Sequence, residues 1–336
     1  MTYIKSAHTE PYFNLALEQY VFDCLSPEDD YFMLWQNDNA IIIGKHQNTM
    51  EEINADFVVE HGIKVARRLS GGGAVYHDLG NLNFTFITGL REGSGGRGFD
   101  FRSFCEPIAE ALREMGVEAE ISGRNDMTIG GKKFSGNAQY VKGGRVMHHG
   151  TLLFDSNLDV VSQALKVAPE KVESKGVKSV RSHITNIKPF LPTPLSLGDF
   201  WAALERAMGS RFTLTPRELT QEDLAEVRRL RDEVYATWEW NYGFSPAYKV
   251  RKSRRVEGCG TIQVFMDIKR GGVIGGVEFY GDYFGNGDSR EVAHKLGGHR
   301  LMRRVLEKTL AGIDVPHYFS GLDGATLIDI LLGKGE

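Results

Sequence analysis

The chain has 336 residues, of which 41% are hydrophobic and 25% charged, and a formal net charge of −4. This length suits two domains with a sizeable core, and the composition excludes a disordered or fibrous chain. The slight acidic balance argues against a protein built to coat nucleic acid.

The three cysteines, Cys24, Cys105 and Cys259, form no C-x-x-C pair, so neither a disulfide framework nor a zinc ribbon is readable. The N-terminus lacks an apolar leader, and the longest apolar runs, such as 40–43, are too short to span a bilayer. A cytoplasmic protein is expected, with neither a membrane nor a nucleic-acid partner.

In chain order, Phe13, Leu17, Tyr20 and Val21 recur at helical spacing behind Pro11, which predicts an amphipathic helix over 11–25. Strands are expected at 31–35 and 40–43, parted by the turn-like run from Asn37 to Asn39, then a short helix at 54–61 and a strand at 63–66. A strand at 82–87, a helix at 99–115 and a strand at 117–121 follow. From Met127 to Phe154, glycine pairs at 130–131 and 143–144 divide three strands into an antiparallel meander. Helices are expected at 197–208 and 221–236.

Past Tyr242 the sequence GFSPAYKVRKSRRVEGCG reads as a turn-prone, strongly basic connector, followed by alternating strands at 261–269 and 272–280 and by helical segments. We draw the domain boundary there, giving a domain of 1–245 and one of 246–336. The fold class expected is α/β (α+β) with a mixed sheet.

Three segments bear on chemistry. In RRLSGGGAVYHDLGN (67–81), Gly71, Gly72 and Gly73 let backbone N–H groups approach a phosphate or carboxylate, with the Arg68 guanidinium alongside; a plain tight turn is the other reading. In SGRNDMTIGGKKFSGNA (122–138), strand alternation predicts Lys133, Ser135 and Asn137 on one face and Phe134, Gly136 and Ala138 on the other. Lys133 is then either a solvated lysine or a cation with room beside it for a substrate. Asn125 and Asp126 fit either a turn cap or a Mg²⁺ site. The basic stretch 173–186 fits either a solvated loop or a cover over a nucleotide. The cationic pair and the glycine run suit a reaction that brings two anions together, such as a carboxylate attacking the α-phosphate of ATP.

Other patterns carry less. The run GSGGRG at 93–98 satisfies G-x-G-x-x-G without the strand-to-helix turn that a dinucleotide needs, so a loop is expected. His148 and His149 are adjacent on a strand and face opposite ways, which excludes joint ligation of one metal. Cys105 reads as a buried small hydrophobe, and the aromatic run at 238–248 as a packing element.

Taken together, RRLSGGGAVYHDLGN, SGRNDMTIGGKKFSGNA, HHGTLLF, KGVKSVRSHITN and WEWNYGFSP resemble, in order, segments of the lipoate–protein ligase family. The resemblance implies a catalytic domain of biotin/lipoate-ligase type with a small α+β C-terminal domain. It also implies activation of lipoate by ATP and Mg²⁺ to lipoyl-AMP with release of pyrophosphate. The lipoyl group would then pass to a lysine of acceptor domains in 2-oxoacid dehydrogenase complexes and the glycine cleavage H protein.

Residue by residue, the resemblance implies that Arg68 and the backbone of Gly73, Ala74, Val75 and Tyr76 bind nucleotide. Lys133 would be the catalytic lysine, touching both lipoate and the adenylate phosphate. Arg68, His77 and His149 would join it in binding substrate, and Asp126 would hold the metal. By the same resemblance 173–186 is the loop that orders over the adenylate, and GKHQN at 44–48 is part of the lipoyl pocket. The alternatives are an ATP-independent octanoyl or lipoyl transferase of the same fold, or a non-catalytic binder of lipoylated domains.

Overall fold

The computed structural model describes residues 1–90, 100–123, 125–165, 183–243, 250–269 and 272–333. Its larger sheet contains β1 (Thr2–Lys5), β2 (Tyr31–Trp35), β6 (Asn81–Gly89), β7 (Ala119–Ser122), β8 (Asp126–Ile129), β9 (Lys132–Lys142), β10 (Arg145–Leu153) and β11 (Thr215–Pro216). Their order is β11-β1-β2-β6-β10-β9-β8-β7. The β1 strand runs parallel to β2 and β11, and every pair from β2 through β7 is antiparallel. A mixed sheet is therefore present, as the sequence led us to expect. A smaller sheet places β3 (Ala40–Ile43) between β4 (Lys64–Arg67) and β5 (Val75–His77).

The large sheet is buried on both faces. Every residue of β2 is buried, which explains why YFMLW is a continuous apolar run rather than an alternating one. One face carries the helices Arg102–Glu114 and Leu197–Arg211, which bring Ile108, Leu112, Phe200 and Leu204 against Phe84, Phe86 and Phe134. Truncating Leu112 to alanine there costs about 2–5 kcal/mol. The other face carries the helix Pro11–Cys24, whose Leu17 and Val21 pack on Tyr31, Met33 and Ile87. Pro11 sits in that helix's first turn, where the sequence suggested the start, and the Glu10 carboxylate caps it by accepting a hydrogen bond from Phe13 N at 2.7 Å.

A third sheet, antiparallel, consists of β12 (Val250–Val256), β13 (Gly260–Lys269) and β14 (Val273–Gly281). The helices Ser289–Leu296, Arg303–Leu310 and Gly324–Leu332 cover it and supply Leu296, Leu306, Leu327 and Leu331 to a core of its own with Ile262, Val264 and Met266. The β12 strand corrects the connector reading. It is an edge strand whose side chains are partly or wholly exposed, so its basic residues hide the apolar alternation that marks a strand. No helix among the described residues is long and apolar enough to cross a membrane.

Candidate active site

A cavity of about 300 Å³ lies between the β9–β10 face of the large sheet and the smaller sheet. Its apolar part is formed by Leu15, Trp35, Ile42 and Ala138. Arg68, Gly73, Ala74, Val75, His77, Asp126, Lys133 and His149 all line it, so residues drawn from separate parts of the sequence meet at one place. Tyr76 does not line it. Strand alternation turns the Tyr76 ring away, and its hydroxyl donates to Asn39 Oδ1 at 3.0 Å, leaving only its backbone for the nucleotide role expected of it.

Arg68 is buried and closely held. Its Nη2 donates to the carbonyls of Gly71 at 2.6 Å and Gly73 at 2.9 Å, its Nη1 to Ile42 O at 3.2 Å, and its Nε to Ser70 Oγ at 3.0 Å. Gly72 has φ +93, and a Cβ there would stand 2.9 Å from the Arg68 Nη2, so side chain and loop fix each other. Burial lowers the guanidinium to about 10, well above neutral pH, so it remains charged. None of these hydrogen bonds goes to a carboxylate. The sequence suggested a charged fork beside the glycine run; the structure makes it a strut that shapes the glycine loop and lends the cavity a positive charge.

Lys133 reaches the cavity by a route that simple alternation misses. Opposite β8, Met127 pairs with Ser135 and Thr128 with Lys133, which makes Phe134 the extra residue of a bulge. Phe134 enters the core under the helices, and the Lys133 ammonium comes to lie over Gly136 on the other face. Ser135 and Asn137 stay on the helix side, where Asn137 Oδ1 lies 3.2 Å from His148 Nε2. The expected trio of Lys133, Ser135 and Asn137 is thus divided between the faces, although Asn137 as well as Lys133 lines the cavity. Asp126 Oδ1 pairs with Lys133 Nζ at 2.8 Å.

Two histidines behave differently. His149 has both ring nitrogens engaged, Nε2 with Ser70 Oγ at 2.7 Å and Nδ1 with Glu18 Oε1 at 2.9 Å. Glu18 also accepts from Thr85 at 2.6 Å, and Thr85 accepts from Trp35 Nε1 at 2.8 Å. His149 therefore offers the cavity a fixed ring rather than an open nitrogen. Asn37 Nδ2 donates to His77 Nδ1 at 3.1 Å, which leaves the proton on Nε2, a buried atom without a partner. Burial, with Arg68 and His149 nearby, lowers His77 to about 3, so it is a neutral donor facing a ligand site.

Sequence reasoning missed Asn83, whose buried Nδ2 also lacks a partner and which lines the same cavity. The signal was present: Asn81, Asn83 and Thr85 alternate with Leu82, Phe84 and Phe86 in a strand buried on both faces.

Elsewhere the structure places other residues that the sequence singled out. Lys45, His46 and Gln47 line a second cavity of about 620 Å³ between the smaller sheet and β14, not the one holding Lys133. Cys105 is buried with its Sγ 3.9 Å from His148 Nε2, and burial pushes the thiol up to about 12, as suits a packing residue. Trp240 and Asn241 pack on Arg67, donating to Arg67 O at 2.8 Å and accepting from Arg67 N at 2.8 Å. Of 173–186, residues 173–182 lie outside the described residues, as does all of 93–98. Beyond them, Lys133 N donates to His183 O and Thr185 N to Lys133 O, both at 2.8 Å, so the returning chain pairs with the backbone of Lys133 itself.

The described residues thus define a mixed-sheet domain with a glycine-lined cavity that holds Arg68 and Lys133, joined to a smaller part with its own core. Residues 10–209 match the Lipoyl protein ligase A/B catalytic domain, and residues 245–331 match the Bacterial lipoate protein ligase C-terminus. The chain belongs to the lipoate–protein ligase family, a family of enzymes.

Among curated proteins, it is 43% identical over 325 residues to the lipoate-protein ligase LplJ of Bacillus subtilis, covering 96% of this chain and 97% of that one. Among solved structures, lipoate-protein ligase A bound with ATP is 28% identical with a TM-score of 0.61, over 73% of this chain and 97% of that one. A lipoate protein ligase described with its E2 lipoyl domain from Thermoplasma acidophilum is 30% identical with a TM-score of 0.62, over 74% and 98%. Protein Ta0514 of the same organism, with bound lipoic acid, is 27% identical with a TM-score of 0.61, over 72% and 98%.

Proposed function

We propose that the protein is an ATP-dependent lipoate–protein ligase that works in two steps at the cavity holding Lys133. In the first, a lipoate carboxylate oxygen attacks the α-phosphorus of ATP. The new O–P bond forms as the bond to the β-phosphate oxygen breaks, and pyrophosphate leaves with the electron pair. In the second, the neutral amine of an acceptor lysine attacks the acyl carbon, AMP leaves with the C–O pair, and the amine proton passes to solvent. The relatives that carry ATP or lipoic acid, and the family itself, support this reading.

The observation that carries it is the convergence of Arg68, the glycine loop and Lys133 on one cavity. Two anions repel as they meet, and cations already in place in a water-poor site lower that barrier by several kcal/mol. Lys133 is the catalytic residue in this reading, bridging carboxylate and α-phosphate. Trp35 and Leu15 would bound the acyl chain, and His77 Nε2 would donate to the ligand.

Asp126 is the residue that would hold the Mg²⁺ accompanying ATP. The described residues form no group of three His, Cys, Asp or Glu side chains able to ligate a metal, so phosphate oxygens and waters would complete the shell, as Mg²⁺ prefers. The ion, when bound, neutralises phosphate charge. The division at 245/246 would assign this chemistry to the first domain and leave 246–336 as an accessory domain. The free thiols of Cys24, Cys105 and Cys259 suit the reducing cytoplasm. Acceptors would be the lipoyl domains of 2-oxoacid dehydrogenase complexes and the glycine cleavage H protein.

The test is to mix the protein with lipoate, ATP and Mg²⁺ and look by mass spectrometry for lipoyl-AMP, then add a lipoyl domain and look for the modified lysine. Acyl transfer between carrier proteins without ATP, and no adenylate, would instead identify a transferase.

A further inference from the structure

The cavity that holds Lys133 is lined in part by the C-terminal domain, through Arg255, Gly260 and Asp282. Arg255 is the residue before the last in the edge strand β12, opposite Thr261 of β13. The turn between these strands is pinned from below, since Asp282 Oδ1 accepts from Thr261 N at 2.5 Å. The sequence grouped Arg255 with a basic connector; the structure puts it on the wall of the reaction cavity.

Three cationic side chains line that wall, and they differ in what they have left to offer. Arg68 donates to three carbonyls and a hydroxyl, and Lys133 is paired with Asp126. Arg255 is exposed, and its guanidinium makes no hydrogen bond or ion pair among the described residues. It therefore presents a planar fork of donors, matched to phosphate oxygens, to the cavity from the C-terminal domain.

Resting on the ligase reading above, we propose that Arg255 binds the β- and γ-phosphates of ATP and stabilises pyrophosphate as it leaves. The two half-reactions differ in the charge their leaving groups carry away. Pyrophosphate departs only in the first; the second releases AMP, whose single phosphate lies by the same reading at Lys133. A cation supplied by the other domain then serves adenylate formation and is idle during transfer. The second domain thus contributes one side chain to the first reaction and none to the second.

The experiment separates the halves, using the full chain. Pyrophosphate release from lipoate and MgATP reads the first; transfer from supplied lipoyl-AMP to a lipoyl domain reads the second. Arg255→Ala is expected to raise the KM for ATP and slow pyrophosphate release roughly 10²-fold, while transfer stays within about twofold and so reports an intact fold. Arg255→Lys, with charge but no fork, recovers only part of the loss. Arg254→Ala, next to it on β12 but not lining the cavity, changes neither half. Equal losses in both halves, or unchanged pyrophosphate release in Arg255→Ala, overturn the assignment alone. Failure of the unaltered protein to release pyrophosphate removes the ligase reading, and this assignment with it.

Discussion

The Lys133 ammonium lies 2.8 Å from Asp126 Oδ1 and over Gly136, so close that a methyl group on Gly136 would stand 2.9 Å from Nζ. The atom displaced by such a methyl is the far end of a flexible side chain, so the fold can absorb it while the site cannot. Gly136→Ala is expected to lower adenylate formation about 10- to 100-fold with little change in melting temperature. Lys133→Ala is expected to remove at least about 10³-fold. Lipoyl-AMP production, with thermal melts alongside, checks both, and an alanine variant at Gly136 with full activity would mean that the ammonium is not used where it lies.

Arg68 is expected to act on stability as well as on rate. Arg68→Ala strips hydrogen bonds from the carbonyls of Gly71, Gly73 and Ile42 and empties a buried side-chain site. Destabilisation of about 2–4 kcal/mol follows, measurable by urea unfolding. Lysine in its place keeps the charge without the fork and is expected to recover little of the loss.

Buried neutral histidines set the acid limit. Burial lowers both His46 and His77 from the ordinary 6.5 to about 3. The folded state then binds fewer protons than the unfolded one between these values. Stability accordingly rises with pH across that window, is intact above about 6.5, and drains away as pH falls toward 3. At pH 5 each histidine is expected to cost roughly 2 kcal/mol relative to pH 7. Denaturant midpoints measured at the two pH values check this, and His46→Gln should flatten the difference.

Cys105 is expected to be dispensable for chemistry. Its thiol is buried and pushed up to about 12, so it supplies no thiolate at neutral pH. Cys105→Ala should leave adenylate formation and transfer intact and cost about 1 kcal/mol of stability through the space it leaves beside His148. Loss of transfer alone in this variant would favour an acyl-cysteine route.

The elements that the sequence made plain were those whose burial pattern is uniform. Both β2 and β3 have the expected ends because YFMLW and AIII are apolar throughout, and Pro11 marks a helix start by its own geometry. The glycine run and Lys133 were legible as chemistry because their residue types are unusual together. What could not be read depends on pairing between strands. Nothing in KKFSGNA shows that Met127 will face Ser135 and so turn Lys133 around, because a bulge is a property of two strands. Likewise Arg255 reads as one basic residue in a run of them until β13 and Asp282 fix the turn beside it. Asn83 and Thr85 were visible in the alternation of β6, but that strand was read only for its hydrophobic half.

Because Phe134 is the additional residue on its side of the β8–β9 ladder, the position of the neighbouring amine depends on a count. Pairing Phe134 regularly opposite Thr128 would keep every secondary-structure element and the whole composition, yet deliver the amine to the hydrophobic side of the sheet. In chains of this shape, the spacing from the lysine to the glycine therefore has meaning only together with the bulge. A homologue that keeps the interval of three and loses the bulge would have the vocabulary of the site without its grammar.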